Sequence, residues 1–276
     1  MPRNVLITGC SSGIGRALAV AFRLNGDNVI ATARQRATLD ELQAAGCEVE
    51  ALDVNSEPSI QALLDNISRR HQHIDVLINN AGISAMGPLA EIPADKLRGQ
   101  FETNVIAPVL LTQKLLPLLR TSEQGVIINM GSVSGVLTTP LAGAYCASKA
   151  ALHSISDAMR MELAPFGIRV VTVQPGGIKS NFGDAAAASV NDWLSDDSLY
   201  APIRDGIMAR AGASQIDATP AEDFAAELVS NLNSKSNNTW NIGHGSKLMP
   251  FIARWLPESR LSRTLSKRFG LLALKP

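Results

Sequence analysis

Val5-Leu6-Ile7-Thr8-Gly9-Cys10-Ser11-Ser12-Gly13-Ile14-Gly15 is the stretch from which the rest of the chain can be read. An unbroken apolar run followed by a turn suits a strand buried on both faces, the pattern of a parallel sheet. The glycines of Thr8-Gly9-Cys10-Ser11-Ser12-Gly13-Ile14-Gly15 permit a tight turn and a close approach of backbone N–H groups to a pyrophosphate. The helical pattern of Ile14–Leu24 then places those groups at the positive end of a helix dipole. A plain strand-to-helix turn needing a positive φ would also ask for glycine, so the turn acquires meaning only from its surroundings.

Those surroundings repeat the same unit. Strand candidates are Asn4–Thr8, Asn28–Thr32, Glu48–Leu52, Ile74–Ile78, Val126–Met130 and Ile168–Val173. Helical patterns lie between them at Ile14–Leu24, Leu39–Ala45, Ser59–Arg70, Pro93–Leu119 and Tyr145–Ala164. Alternation of this kind predicts βαβ units and one α/β domain, a doubly wound, Rossmann-type parallel sheet with helices on both faces. After Pro175-Gly176 the rhythm stops. Residues 177–216 read as a long irregular binding loop with scattered apolar anchors. A helix over about Pro220–Leu232 and a possible edge strand at Thr239–Ile242 follow. The division expected is 1–246 for the catalytic domain and 247–276 for a helical C-terminal extension.

Composition narrows the function classes. The chain has 276 residues, 25 Lys+Arg against 25 Asp+Glu, and 46% hydrophobic residues. It is too apolar for disorder and has no overall basic footprint for nucleic acid. No apolar run reaches the roughly 18 residues of a membrane span. Cys10, Cys47 and Cys146 are odd in number and widely spaced, which argues against a disulfide framework or a Cys-rich zinc site. His71 and His73 read as a solvated helix end rather than metal ligands. The opening residues lead straight into a strand without a signal-peptide pattern, so a reduced, cytoplasmic protein is expected.

Tyr145 and Lys149, four residues apart, leave one face of a helix. A phenol with a pKa near 10 is a poor acid–base group at neutral pH, and a nearby ammonium is expected to lower that value. Together with T-G-x-x-x-G-I-G and Asn79-Asn80-Ala81-Gly82, this pair resembles the short-chain dehydrogenase/reductase family from about residue 3 to 242. Ser132, Asn104 and Pro175-Gly176 also match that family's pattern. The resemblance implies Tyr145 as proton donor to a carbonyl, Ser132 as its polarising partner, Lys149 as holder of the nicotinamide ribose, and Asn104 as holder of a water leading to Lys149. It implies cofactor contacts at Gly9, Ser11, Ser12, Gly13, Ile14, Gly15, Asn80, Ala81, Gly82, Tyr145, Lys149, Pro175 and Gly176, with Asp53 and Val54 near the adenine. Simpler roles stand beside these: a turn residue for Ser132, a helix-bending amide for Asn104, and a turn cap for Asp53. Cys146 reads as packing.

The cofactor reading depends on the end of the second strand. NAD-preferring folds place an acid there for the ribose 2′-OH, whereas this chain reads Ala31-Thr32-Ala33-Arg34-Gln35-Arg36 with no acid before Asp40. A guanidinium suits a 2′-phosphate, so NADP(H) is expected, with Arg34 as main contact and Ser12 or Arg36 assisting. The apolar anchors of 177–216, which carry no cluster of positive charge, predict a small lipophilic carbonyl or alcohol as substrate. The Ala-Thr-Ala-Arg strand end and the basic extension resemble the branch of hydroxysteroid and retinol dehydrogenases and acyl-dihydroxyacetone-phosphate reductases. Oxidation of a secondary alcohol and a non-catalytic dinucleotide-sensing role are the competing readings.

Residues 247–276 hold seven basic side chains against Glu258 alone. Leu261, Leu265, Phe269 and Leu272 are predicted on one helical face. That face could pack on the body or a second subunit, or serve as a membrane-surface or lipid-substrate flap. The resemblance implies a homodimer or homotetramer paired through the helices matching 93–119 and 145–164.

Overall fold

The computed structural model describes residues 2–233 and 237–274; Met1 and Lys275, the latter counted in the tail's charge, lie outside them. Seven strands form one sheet: β1 Asn4–Ile7, β2 Asn28–Ala33, β3 Glu48–Ala51, β4 Val76–Asn79, β5 Val126–Met130, β6 Arg169–Pro175 and β7 Thr239–Ile242. All are parallel, in the order β3-β2-β1-β4-β5-β6-β7. The chain reverses its direction of travel between β1 and β4. In such sheets the crevice beyond the carboxyl ends at that point is where ligands bind. The edge strand at Thr239–Ile242 is present, with Thr172 of β6 opposite Thr239.

Strand geometry sends successive side chains to opposite faces, and β1 shows it. Val5 and Ile7 join one core with Leu18, Phe22, Phe224 and Leu228, contributed by α1 Gly13–Leu24 and α9 Ala221–Asn233. Leu6 joins the other, with Leu63 and Ile67 of α3 Glu57–Ser68 and Leu111, Leu115 and Leu119 of α5 Ala107–Arg120. The short α2 Asp40–Ala44 and the 21-residue α6 Gly143–Leu163 complete the two layers.

Two expectations need correction. Pro93–Leu119 is helical as expected but not α-helical throughout: α4 Ala94–Phe101 passes through a π-helical turn, Glu102–Ile106, into α5. The extra residue in that turn brings Thr103, Asn104 and Val105 inward as buried groups. Residues 177–216 are not irregular either, since α7 Phe182–Asn191 and α8 Arg204–Gly212 occupy much of the stretch. An alanine run favours helix through low side-chain entropy, but it offers no apolar periodicity to read.

A third core lies above the sheet's carboxyl edge. Met86, Leu141, Cys146, Val190, Ile203, Ile207 and Phe269 meet there, so the tail is stitched onto α7 and α8. The tail folds as α10 Leu248–Trp255 and α11 Glu258–Arg268. Gly270, at φ 79°, ends the second of these in the left-handed region open to glycine. The predicted face therefore stops short: Phe269 is buried, whereas Leu272 lies beyond the helix and is exposed.

Candidate active site

A cavity of about 510 Å³ opens at the carboxyl ends of the strands. Its cofactor-sized arm is walled by Gly9, Ser11, Ser12, Gly13, Ile14, Gly15, Arg34, Asp53, Val54, Asn80, Ala81 and Gly82. Close packing explains the glycines. Gly9 has φ +74°, and a Cβ on Gly15 would overlap the Gly9 carbonyl oxygen. Thr8 Oγ1 accepts from the N–H groups of Asn80 (3.0 Å) and Ala81 (2.9 Å), and Asn80 Nδ2 donates to the Thr8 carbonyl at 2.8 Å. The turn after β1 is thus locked to the end of β4. Ser12 caps α1 by position but makes no side-chain capping bond, so the first-turn N–H groups beside the cleft have no partner from it. Donors of this kind, in a glycine-lined cradle, fit the pyrophosphate of a nicotinamide dinucleotide.

Arg34 is exposed at the cleft wall, whereas Arg36 turns away and donates to Gln43 Oε1 at 3.3 Å. Asp53 lines the cleft and also accepts from the Asn55 N–H at 3.0 Å, so it serves the turn as well. Pro175 ends β6, and Gly176 passes so close to the His244 carbonyl that a Cβ would overlap it.

At the inner end, Ser132, Tyr145, Lys149 and Asn104 come together. Ser132, buried at the close of β5, hydrogen-bonds the Tyr145 phenol and accepts from the Ser134 N–H at 3.1 Å. Lys149 Nζ lies 5.8 Å from the Tyr145 ring centroid and donates to the Met130 carbonyl at 2.7 Å. Asn104 clamps Ile83, accepting from its N–H and donating to its carbonyl, both at 2.9 Å. It also donates to Ser148 Oγ at 3.1 Å. Its Oδ1 and Lys149 Nζ flank the same side of Gly82.

The electrostatics differ from the expectation for Tyr145. Burial pushes its pKa up to about 12, outweighing the Ser132 hydrogen bond, and the Lys149 ammonium is not among the causes of the shift. Burial also pulls Lys149 down to about 8. In this state desolvation sets the shift and the expected ammonium effect does not contribute, so the phenol is held neutral.

Residues 3–191 match the family of short chain dehydrogenases. The chain belongs to the short-chain dehydrogenase/reductase family. It is 35% identical over 204 residues to an NADPH-dependent 3-dehydrocapnine reductase of Ornithobacterium rhinotracheale, covering 71% of this chain and 72% of that protein. Among solved structures it is similar to a short-chain dehydrogenase from Streptomyces avermitilis, with TM-score 0.80, 31% identity, and 99% and 97% of the two chains covered. It is also similar to a short chain dehydrogenase/reductase from Burkholderia phymatum in complex with NAD, with TM-score 0.75, 26% identity, and 100% and 96% covered. This short-chain dehydrogenase is accordingly an oxidoreductase acting on CH–OH or C=O groups with a nicotinamide dinucleotide.

Of the further residues in or beside this dehydrogenase's pocket, Phe182 belongs to the expected apolar anchors of 177–216 and Leu265 and Phe269 to the expected apolar face of the tail, whereas His153, Arg210 and Arg268 escape sequence reasoning. Phe182 of α7 tilts against Tyr145, ring centroids 5.6 Å apart. His153, one turn beyond Lys149 on α6, accepts from the Ser132 N–H through Nε2 at 3.3 Å, and Gly131 and Gly135 pack on its ring. Arg210 of α8 and Leu265, Arg268 and Phe269 of the tail also line the cavity. Helical spacing from Lys149 could have flagged His153. Nothing local in sequence marks Arg210. His71 pairs with Glu48 (3.0 Å), and the described residues hold no cluster of three or more potential metal ligands.

Proposed function

We propose that this dehydrogenase uses NADPH to reduce a lipophilic ketone or aldehyde to the alcohol. The observation that carries the reading is Tyr145, a phenol kept protonated by burial and facing a pocket whose substrate end is walled by Met86, Leu137, Phe182, Ile216 and Phe269. When bound, the dinucleotide supplies hydride to the carbonyl carbon. Tyr145 donates its proton to the carbonyl oxygen, and Ser132 Oγ polarises that oxygen by hydrogen bonding. Lys149 holds the nicotinamide ribose, and Asn104 holds the water that returns a proton toward it. Gly9 to Gly15, Asn80 to Gly82 and Pro175-Gly176 hold the dinucleotide; Asp53 and Val54 contact the adenine.

Choice of NADPH rests on Arg34, an exposed guanidinium at the cleft wall with no acid at the end of β2. Fluorescence titration tests it. Micromolar NADPH binding with NADH weaker by about tenfold or more is expected, and Arg34→Asp should invert the order. Equal binding of both nicotinamides would remove Arg34 from the site and favour the oxidative reading.

Two further proposals concern partners. The exposed apolar side chains Ile106, Leu110 and Met161, within 93–119 and 145–164, suit pairing with a second copy. Leu248, Phe251 and Trp255 of α10 are all more than half exposed beside Lys247 and Arg254. This combination suits peripheral contact of a cytoplasmic protein with an anionic lipid surface. No helix among the described residues is long and apolar enough to cross a membrane.

A further inference from the structure

The substrate end of the cavity contains two guanidinium groups. Arg210 comes from α8 and Arg268 from the last residue of α11. Arg210 is only 7% exposed. Its Nε donates to Thr139 Oγ1 at 2.8 Å, the Cys146 thiol is a second polar neighbour, and no acid of the described residues forms an ion pair with it. Burial and the nearby Arg268 charge both pull its pKa below the ordinary arginine value. Arg268 is exposed, its guanidinium 5.6 Å from the Phe269 ring centroid. The sole acid among the residues lining the cavity is Asp53, at the adenine end.

This placement is costly unless a ligand offsets it. A buried cation is ordinarily paired, because taking an ion out of water is costly. Here neither a carboxylate nor a second acidic wall answers Arg210, and a like charge stands beside it. The planar fork of a guanidinium matches the oxygens of a carboxylate or phosphate. Arg210 also interacts electrostatically with Tyr145, so the cation and the proton donor share one chamber.

We infer that the substrate is a lipophilic carbonyl compound carrying an anionic group, a carboxylate or a phosphate, received by Arg210 and Arg268 while its carbonyl meets Tyr145. The apolar remainder lies against Leu265, Phe269 and Ile216. The fold thus supplies the positive cluster that residues 177–216 lack when read alone, by bringing the tail to α8. The inference rests on the reductase reading and names the class of its substrate.

Calorimetric titration of the full chain, saturated with whichever nicotinamide it binds, tests this without turnover. The probes are octanoate, octyl phosphate and 1-octanol. Both anions, or one of them, should bind at least about tenfold tighter than the alcohol. Whichever is tighter identifies the headgroup. Arg268→Gln, at an exposed position that leaves the fold intact, should weaken the anions about fivefold and leave 1-octanol unchanged. Arg210→Gln should weaken them further; if it does not fold, Arg268→Gln decides the matter. Equal affinity for anion and alcohol, or an anion preference untouched by Arg268→Gln, would overturn the inference. A protein that selects the anions yet reduces no carbonyl would sink the reductase reading and leave only the anion site at Arg210 and Arg268 standing. One that reduces neutral ketones without anion preference would do the reverse.

Discussion

At Tyr145, burial and hydrogen bonding pull in opposite directions, and burial is the larger effect. The side chain is only partly covered, opening on the cavity, yet it lies deep enough for its ionised form to be disfavoured. A group held protonated up to about 12 is available as an acid throughout the neutral range. Carbonyl reduction should therefore hold level between about pH 6 and pH 8, whereas alcohol oxidation, which needs the phenolate, should climb with pH. Tyr145→Phe should lower kcat for reduction by roughly 10²–10⁴ while NADPH affinity stays the same. Steady-state rates beside a binding titration separate the two effects. A loss of binding equal to the loss of rate would assign Tyr145 to cofactor retention alone.

Among the elements, α6 organises the chamber: Tyr145, Lys149, His153 and Ser156 follow one another along it at helical spacing. A polar relay anchors it to the sheet. Asn79 Nδ2 donates to Asn129 Oδ1 (2.8 Å), Asn129 Nδ2 to Ser156 Oγ (2.9 Å), and Ser156 Oγ to the Leu152 carbonyl (2.6 Å). His153 carries the next turn, steadying the loop of Ser132 in its neutral form. Burial, with the Lys149 charge adding, pulls its pKa from 6.5 to about 4. The unfolded chain thus takes up a proton below pH 6.5 that the folded chain refuses until about pH 4. The neutral ring's stabilisation is complete above 6.5 and declines across that window, by about 1.4 kcal/mol per pH unit. Urea denaturation of the native protein and His153→Gln, at neutral pH and again near pH 4.5, should show the native protein losing its advantage as pH falls. A stability difference that stays constant with pH would remove His153 from this role.

Legibility in the sequence follows sequence distance. The Gly-rich turn, and Tyr145 with Lys149, are local patterns within one turn or two. The sheet emerges from periodicity repeated over many units. Arg210 and Arg268 meet only because α8 and the tail share a core, a relation that no window of sequence contains. The π-helical turn at Glu102–Ile106 was equally hidden, since a single inserted residue leaves the apolar pattern of α4 and α5 nearly continuous. The direction of Arg36 is hidden for a related reason: its charge is plain in the sequence, but its turn toward Gln43 is not.

Over the whole molecule, the tail brings opposite surfaces to one place. Phe269 is buried under α8, where Gly206 leaves room for its backbone, while α10 turns Phe251 and Trp255 outward. Deleting residues 247–276 would therefore unroof the pocket as well as remove the outward face. Point changes on α10 are the cleaner test of lipid contact. Phe251→Ser with Trp255→Ser should abolish co-sedimentation with anionic vesicles, leave cofactor binding intact, and behave like the native protein on neutral vesicles. Undiminished pelleting of the double variant would discard the membrane contact.

The shared core under Phe269 also sets an order in time. The Gly-rich turn, Ser132, Tyr145, Lys149 and Pro175-Gly176 have all been synthesised by residue 176, whereas Phe269 follows 93 residues later. At about 5–20 residues per second, a nascent chain spends roughly 5–20 s with Tyr145 made and the tail that covers the cavity still missing. Met86 and Leu137, and then Phe182, Arg210 and Ile216, are made before Arg268 and Phe269, so the side of the cavity that the tail covers is the last to be completed.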